Sequence, residues 1–124
     1  VEAEIEAVCQ AAHQNGSIVK VIFETSQLTI DEIIQATKCS ISAGADFIKT
    51  STGFNGPGAT EEAVLAMLKA ADGKIKVKPS GGIRDYERAK MFVDMGADRL
   101  GVGCNSTKKI CEKLVVAETN STEY

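Results

Sequence analysis

Two stretches of sequence decide the fold: Asp46-Phe-Ile-Lys-Thr-Ser-Thr-Gly53 and Lys76-Val-Lys-Pro-Ser-Gly-Gly-Ile-Arg84. Each is a short run with apolar residues that is followed by a hydroxyl residue and glycine, which predicts a buried strand that ends in a turn. Each run also contains a lysine near its carboxyl end, Lys49 in the first and Lys78 in the second. Burial of a lysine is costly because it removes water from the ammonium group, so these two residues are the first candidates for function.

Outward from these two stretches, the chain alternates predicted helices with predicted strands. Strands are predicted at residues 18–24, 46–51, 75–79 and 98–103. Helices are predicted at 2–15, from Thr29 through Ala43, from Thr60 to near Gly73, from Asp85 to Gly96, and at about 106–117. Repeated strand–helix units favour a parallel sheet. Because a closed βα barrel needs eight strands, this α/β pattern predicts either half a barrel or a small, open, doubly wound sheet.

A short internal repeat supports the repeated units. Gly44-Ala-Asp-Phe-Ile48 returns in form as Gly96-Ala-Asp-Arg-Leu100. We expect each glycine to end a helix and each aspartate to lead into a strand.

Composition excludes several classes of function. The chain has 124 residues and a formal net charge of −3 without a basic run, which gives little support to nucleic-acid or membrane-surface binding. It has no apolar stretch near the ~20 residues that span a bilayer, and no signal-peptide pattern. Its four cysteines form no C-x-x-C pair, and one histidine gives no zinc spacing. We therefore expect reduced thiols, a cytoplasmic location, no metal and no cofactor.

The lysines suggest a specific chemistry. Side chains alternate along a strand, so Lys49 and Lys78 could approach each other at the carboxyl ends of neighbouring strands. One would then be an amine nucleophile that forms a Schiff base, and the other would lower its pKa and help to move protons. The alternative is that both lysines reach into water or pair with acids such as Glu24. Two lysines, each followed by a hydroxyl residue and glycine, favour the catalytic interpretation. Lys76 shares the face of Lys78, and we expect it to be either deeper or solvated.

Glycine-rich turns follow the last two predicted strands. Gly81, Gly82 and the segment from Gly101 to Gly103 are candidates to cradle a phosphate group through backbone N–H groups. Arg84, Thr52 and Ser80 are possible side-chain partners. Turns of this kind at the last two strands of a βα barrel often bind phosphate, although each could also be an ordinary tight turn.

These residues carry a family resemblance. Phe47-Ile-Lys-Thr-Ser-Thr-Gly53 and Val77-Lys-Pro-Ser-Gly-Gly-Ile-Arg84 closely resemble the two lysine motifs of the deoxyribose-phosphate aldolases. Val19-Lys-Val-Ile-Phe-Glu-Thr25 resembles the preceding strand of that family, and the likeness extends to about Gly103. It implies a (β/α)8 barrel of which residues 1–117 supply the C-terminal half, with 118–124 as a polar tail.

The resemblance also implies an activity. It is class I, metal-free aldol cleavage of 2-deoxy-D-ribose 5-phosphate to D-glyceraldehyde 3-phosphate and acetaldehyde, as in deoxyribose phosphate catabolism. Lys49 would carry the Schiff base, Lys78 would be its partner, and the turns at Gly81-Gly82 and Gly101 would hold the substrate phosphate.

Two features depart from the family pattern. The family barrel has four earlier strands, one with a catalytic aspartate, and no residue here can take that role. Gly103 and Cys104 stand where hydroxyl side chains would meet the phosphate. We therefore expect a homo-oligomer, or completion by a missing N-terminal half. A catalytically silent sugar-phosphate binding module and a self-associating half barrel are the alternatives.

Overall fold

The computed structural model describes the backbone of residues 1–121, with side chains through Lys113. The elements in chain order are helix α1 (Glu2–Gln14), strand β1 (Lys20–Ile22), a 3₁₀ turn (Thr25–Gln27), helix α2 (Ile30–Ser42), strand β2 (Phe47–Lys49), helix α3 (Glu61–Ala71), strand β3 (Lys76–Lys78), helix α4 (Tyr86–Met95) and helix α5 (Cys104–Ser121). Within residues 1–121, no helix combines the length and the apolar character needed to cross a membrane.

The three strands form one parallel sheet in the order β1-β2-β3. On one face, Ile48 and Val77 are fully buried and belong to a core that includes Ile33 of α2 and Met67 of α3. The helices therefore cover this face. The opposite face carries Lys20, Ile22, Phe47, Lys49, Lys76 and Lys78.

That opposite face is partly open to solvent. Ile22 is 45% exposed, and Lys76 is exposed with its ammonium nitrogen 5.4 Å from the centre of the Phe47 ring. Of the two positions expected for Lys76, the solvated one is correct. A sheet with helices on one face and an open second face is part of a barrel wall, which favours the half barrel over the doubly wound sheet.

Helix termini follow the sequence signals. Thr29, where the second helix is predicted to begin, forms a capping box with Glu32, in which the threonine hydroxyl accepts from the Glu32 N–H and the Glu32 carboxylate accepts from the Thr29 N–H. Thr60 and Asp85 accept hydrogen bonds from the third residues of α3 and α4. These caps place the strand-to-helix turns at one end of the sheet.

The internal repeat is a structural repeat. Gly44 and Gly96 follow α2 and α4 with φ angles of +82° and +111°, a conformation that favours glycine. The Asp46 carboxylate accepts from the Val19 N–H at 2.7 Å, and the Asp98 carboxylate accepts from the Val77 N–H at 2.8 Å. Each aspartate thus fastens its own segment to the neighbouring strand.

The fourth strand is where the sequence prediction is wrong. Residues 98–103 form one parallel bridge, between Ser80 and Gly101, and no strand. The Gly101 N–H donates to the Pro79 carbonyl at 2.8 Å, but proline has no N–H with which to return a hydrogen bond, so the ladder stops. Helix α5 begins at Cys104 and includes residues 118–121 of the expected tail; residues 122–124 lie outside the described part.

Candidate active site

A pocket of about 730 Å³ opens at the carboxyl ends of β2 and β3. It is lined by fifteen residues, which include all the residues predicted from the sequence to take part in catalysis or phosphate binding: Lys49, Lys78, Thr52, Ser80, Gly81, Gly82, Arg84, Gly101 and Gly103. Three predicted features, namely two strand ends and the last glycine turn, therefore meet in one place.

Lys49 and Lys78 are paired across the sheet. They are register partners in the β2–β3 ladder, so their side chains lie on the same face, and each is partly buried. Burial lowers the pKa of Lys78, and the nearby charges of Lys20 and Lys49 lower it further. An amine with a lowered pKa is a better nucleophile and proton acceptor near neutral pH.

Sequence reasoning missed two cations of this site. Lys20 in β1 contributes to the lowered pKa of Lys78 as a like charge, and Arg99 adds a further like charge. The Arg99 guanidinium lies 4.5 Å from the centre of the Phe47 ring, on the face that carries the lysines. Lys20 gave the same signal as the other two lysines, a cation inside an apolar strand, but its relation to Lys78 depends on the sheet register.

The turn after β3 is in close backbone contact with the loop after β2. Gly81 and Gly82 have φ angles of +89° and +73°. A methyl group on Gly58 would lie 2.1 Å from the backbone carbonyl of Gly81, so a side chain at Gly58 would push the two segments apart. The Ala59 N–H donates to the Ser80 and Gly81 carbonyls at 3.1 and 3.0 Å. The loop after β2 is thus fastened to the turn after β3.

Thr52 lines the pocket, but its donors are already engaged. Its N–H and its hydroxyl donate to the two carboxylate oxygens of Glu24, at 3.2 and 2.7 Å. The alternative in which Glu24 pairs with a lysine is therefore wrong, because this carboxylate is turned toward the loop after β2. As placed, Thr52 has no free donor for a phosphate group.

The remaining candidates lie on the far wall. Gly101 packs so closely on Ser80 that a methyl group would lie 2.1 Å from the serine hydroxyl, whereas Gly103 has open space around it. Arg84 is exposed at the rim. Cys104 and Ser106 also line this wall, so hydroxyl and thiol groups reach the pocket beside the two glycines.

The pocket combines two amines with glycine-rich turns and an arginine. Among the residues whose side chains are described, no three of His, Cys, Asp and Glu come together as metal ligands would. Lys49 and Lys78 make no ion pair within 4.0 Å in the described chain. Such an arrangement can form an imine with an aldehyde whose other end carries an anion.

Comparison with known proteins identifies the family of this chain. The sequence model of the DeoC/LacD family aldolases matches residues 2–113. A deoxyribose-phosphate aldolase of Exiguobacterium sp. is 54% identical over 101 residues, which is 82% of this chain and 45% of that protein. The deoxyribose-phosphate aldolase of Exiguobacterium sibiricum is 45% identical over 124 residues, all of this chain and 52% of that protein.

Solved structures show the same relation. The aldolase QR15 superposes with a TM-score of 0.84 at 42% identity, covering 96% of this chain and 52% of its own. A deoxyribose phosphate aldolase from Aeropyrum pernix, described as tetrameric, gives a TM-score of 0.82 at 32% identity over 94% of this chain and 49% of its own. The chain spans about half the length of the relatives that it matches. The partial barrel has the fold of the aldolases that it matches, and this chain belongs to the DeoC/LacD aldolase family.

Proposed function

We propose that this chain carries the imine-forming and phosphate-binding part of a deoxyribose-phosphate aldolase. The observation that supports it best is the register pairing of Lys49 with Lys78 on one face of the sheet, at the wall of a pocket that also contains the glycine turns. The reaction is the reversible cleavage of 2-deoxy-D-ribose 5-phosphate to D-glyceraldehyde 3-phosphate and acetaldehyde.

In the proposed mechanism, the neutral amine of Lys49 attacks the aldehyde carbon of the open-chain sugar. Loss of water from the carbinolamine leaves a protonated imine, which draws electrons from the bond between the α- and β-carbons of the sugar. When the hydroxyl on the far side of that bond loses its proton, the bond breaks. Glyceraldehyde 3-phosphate leaves, and an enamine remains on the lysine. Protonation of the enamine carbon and addition of water then release acetaldehyde.

Lys78 is the proposed proton carrier beside Lys49. Its lowered pKa lets it exist in both protonation states nearer to neutral pH than an ordinary lysine. The same property makes Lys78 the second candidate for the imine-forming amine. The motif match assigns the imine to Lys49, and identification of the modified residue distinguishes the two.

The test is reductive trapping with acetaldehyde. The chain is incubated with acetaldehyde and borohydride, and the modified residue is mapped by mass spectrometry. We expect N-ethyl lysine at Lys49, no adduct at that position in Lys49→Ala, and a slower adduct at neutral pH in Lys78→Ala. Lys76→Ala, which removes a solvated lysine of the same face, is the matched control and should react like the unaltered chain. If no lysine is modified, the imine chemistry is wrong; if Lys78→Ala reacts at full rate, the role of Lys78 is wrong.

A second candidate function is sugar-phosphate binding without turnover. It is favoured by the absence of any ion-paired carboxylate at Lys49 or Lys78 in the described chain, because aldol cleavage needs a group that takes the hydroxyl proton. Trapping at Lys49 together with no cleavage of deoxyribose phosphate would select this candidate.

The proposed partner is the rest of a barrel. The open face presents Lys20, Lys76 and Arg99 together with the two lysines of the pocket, so a complementary half with carboxylates would match its charge. A second copy of the same face would oppose cation to cation. We further propose that the completed barrels form homo-oligomers in the cytoplasm, in line with the four free cysteines of the described chain. Native mass measurement with and without the N-terminal half of a relative tests the completion.

A further inference from the structure

Glu24 has an unusual backbone for a residue with a side chain. It follows β1 and opens the 3₁₀ turn with φ 55° and ψ 62°, in the left-handed region. The other described non-glycine residue with positive φ is Asp72, which ends helix α3, where this conformation is common. Strain of this kind persists only where the surroundings enforce it, and it is concentrated at functional sites.

The surroundings of Glu24 are the loop that forms one wall of the pocket. The two carboxylate oxygens of Glu24 accept from the N–H and the hydroxyl of Thr52. Thr52 and Gly53 line the pocket, whereas Glu24 does not. The Glu24 carboxylate thus holds a wall of the pocket without lining the pocket itself.

The same loop reaches the glycine turn on its other side. The Ser26 hydroxyl donates to the Asn55 carbonyl at 2.8 Å, and further along the chain Gly58 is in backbone contact with Gly81. The loop from Thr52 to Ala59 therefore connects the end of β1 to the turn at Gly81. Loss of the two hydrogen bonds from Thr52 to Glu24 would therefore alter the position of that turn.

We propose that Glu24 is a positioning residue for the anion-binding side of the pocket. Its strained backbone and its two hydrogen bonds hold the loop and the Gly81 turn at the spacing that receives a phosphate group, and Glu24 itself does not contact the phosphate. This inference rests on the proposed function only in taking a phosphate group as the ligand.

If Glu24 acts through its charge, its replacement should change phosphate affinity in the opposite direction from that expected if it acts by positioning. A carboxylate near an anion repels it, so an effect through charge alone would make phosphate bind more tightly after the carboxylate is removed. An effect through positioning would make phosphate bind more weakly. Replacement of Glu24 therefore decides between the two.

The experiment is a titration of the full chain with inorganic phosphate, followed by amide NMR at Gly53, Gly81 and Gly82. Glu24→Gln keeps one acceptor oxygen, and we expect phosphate to bind about threefold more weakly. Glu24→Gly removes both acceptors and the strain, and we expect about tenfold weaker binding without a lower thermal midpoint, because glycine adopts this φ freely. Asp72→Gly is the matched control: it relieves the same backbone strain away from the pocket and should leave phosphate affinity unchanged.

Acetaldehyde trapping separates this inference from the proposed function. We expect the Glu24 variants to be trapped at the rate of the unaltered chain, because acetaldehyde carries no phosphate. Unchanged or tighter phosphate binding in Glu24→Gly would overturn the inference, as would a joint loss of affinity, trapping and thermal midpoint. An unaltered chain that binds no phosphate would overturn it together with the phosphate site. Failure of trapping alone would remove the imine chemistry and leave Glu24 in its positioning role.

Discussion

The two copies of the Gly-Ala-Asp repeat begin alike and end differently. In both, a left-handed glycine ends a helix and an aspartate carboxylate accepts a backbone N–H, that of Val19 just before β1 in the first copy and that of Val77 within β3 in the second. The first copy continues as strand β2, paired on both sides, while the second continues with one bridge. The position of Lys49 in the first copy is held by Gly101 in the second.

The difference shows how one structural unit can present two kinds of chemical group to the same pocket. The first copy presents a side-chain amine to the pocket, and the second presents bare backbone that packs on Ser80. The partner strand explains the lost ladder, because Pro79 stands where a residue with an N–H would be needed. Four changes, in order of expected effect, would break or sharpen this comparison.

The largest effect is expected from Gly101→Ala. The new methyl group would lie 2.1 Å from the Ser80 hydroxyl oxygen and 2.5 Å from its β-carbon, so the two backbone segments must separate. We expect a loss of roughly 1–3 kcal/mol in the free energy of unfolding. Gly103→Ala, two residues further along, meets open space and is the control. Urea denaturation of both variants measures the difference, and equal stability of the two would contradict the packing argument.

The next effect is expected at the aspartates of the repeat. Asp46→Ala removes the acceptor for the Val19 N–H and for the His13 ring, whereas Asp98→Ala removes the acceptor for the Val77 N–H. We expect the first to cost about 2 kcal/mol and the second about 1 kcal/mol at pH 7. A larger loss of stability in Asp98→Ala than in Asp46→Ala would contradict this order.

The loss of folding stability in Asp46→Ala should also depend on pH. Hydrogen bonds from His13 and then from the Val19 N–H lower the pKa of Asp46 below its ordinary value. Its stabilising contribution is therefore complete above the unfolded carboxyl pKa of about 3.9 and is lost as the pH falls through the lower folded value. Unfolding curves of Asp46→Ala and the unaltered chain should converge in acid.

A smaller effect, opposite in sign, is expected from Lys78→Met. Burial and neighbouring cations lower the pKa of Lys78, so its charged form destabilises the folded state. Between the lowered folded pKa and the unfolded value of about 10.4, the unfolded chain binds more protons, so the stability of the unaltered chain rises with pH. Lys78→Met should therefore be more stable at neutral pH, by a margin that shrinks toward pH 10. Lys38→Met, at an exposed site on α2, is the control.

The smallest change in stability is expected from Pro79→Val. A new N–H that donates to residues 98–103 would stabilise the folded state by about 1 kcal/mol. Loss of the proline ring raises the conformational entropy of the unfolded chain, which lowers the free energy of unfolding by about 0.4–1 kcal/mol. The net change should lie near zero. Hydrogen exchange is the sharper measurement: a protected amide at residue 79 would extend the ladder, and an unprotected one would show that Pro79 is not what stops it.

Much of the fold could be predicted because its signals are local. Helix caps such as Thr29 and Asp85 act within three residues, and the alternation of side chains indicates that Lys49 and Lys78 could approach each other, which the β2–β3 register confirms. The missing fourth strand depends on an N–H in the neighbouring strand. Pro79 offered that signal, but its meaning required the pairing of β3 with residues 98–103.

The site was predictable as a set of residues and less so as a set of contacts. Lysines and glycines at strand ends gather at one edge of any parallel sheet, which is why all nominated residues line one pocket. The partner of Glu24 lies 28 residues away in sequence, and its left-handed backbone is enforced by the surrounding structure. The nearness of Lys20 to Lys78 likewise follows from strands that meet only after folding.

The hydrogen bond from the Val19 N–H to Asp46 also determines the face of the sheet on which Lys49 lies. Side chains on a strand change face with every residue, so a slip of one position between β1 and β2 would turn Lys49 into the helix layer and bring Ile48 to the open side. Asp46 prevents that slip because its carboxylate accepts from one particular N–H, that of Val19. The orientation of Lys49 at one end of the strand is thus fixed by a hydrogen bond at the other end.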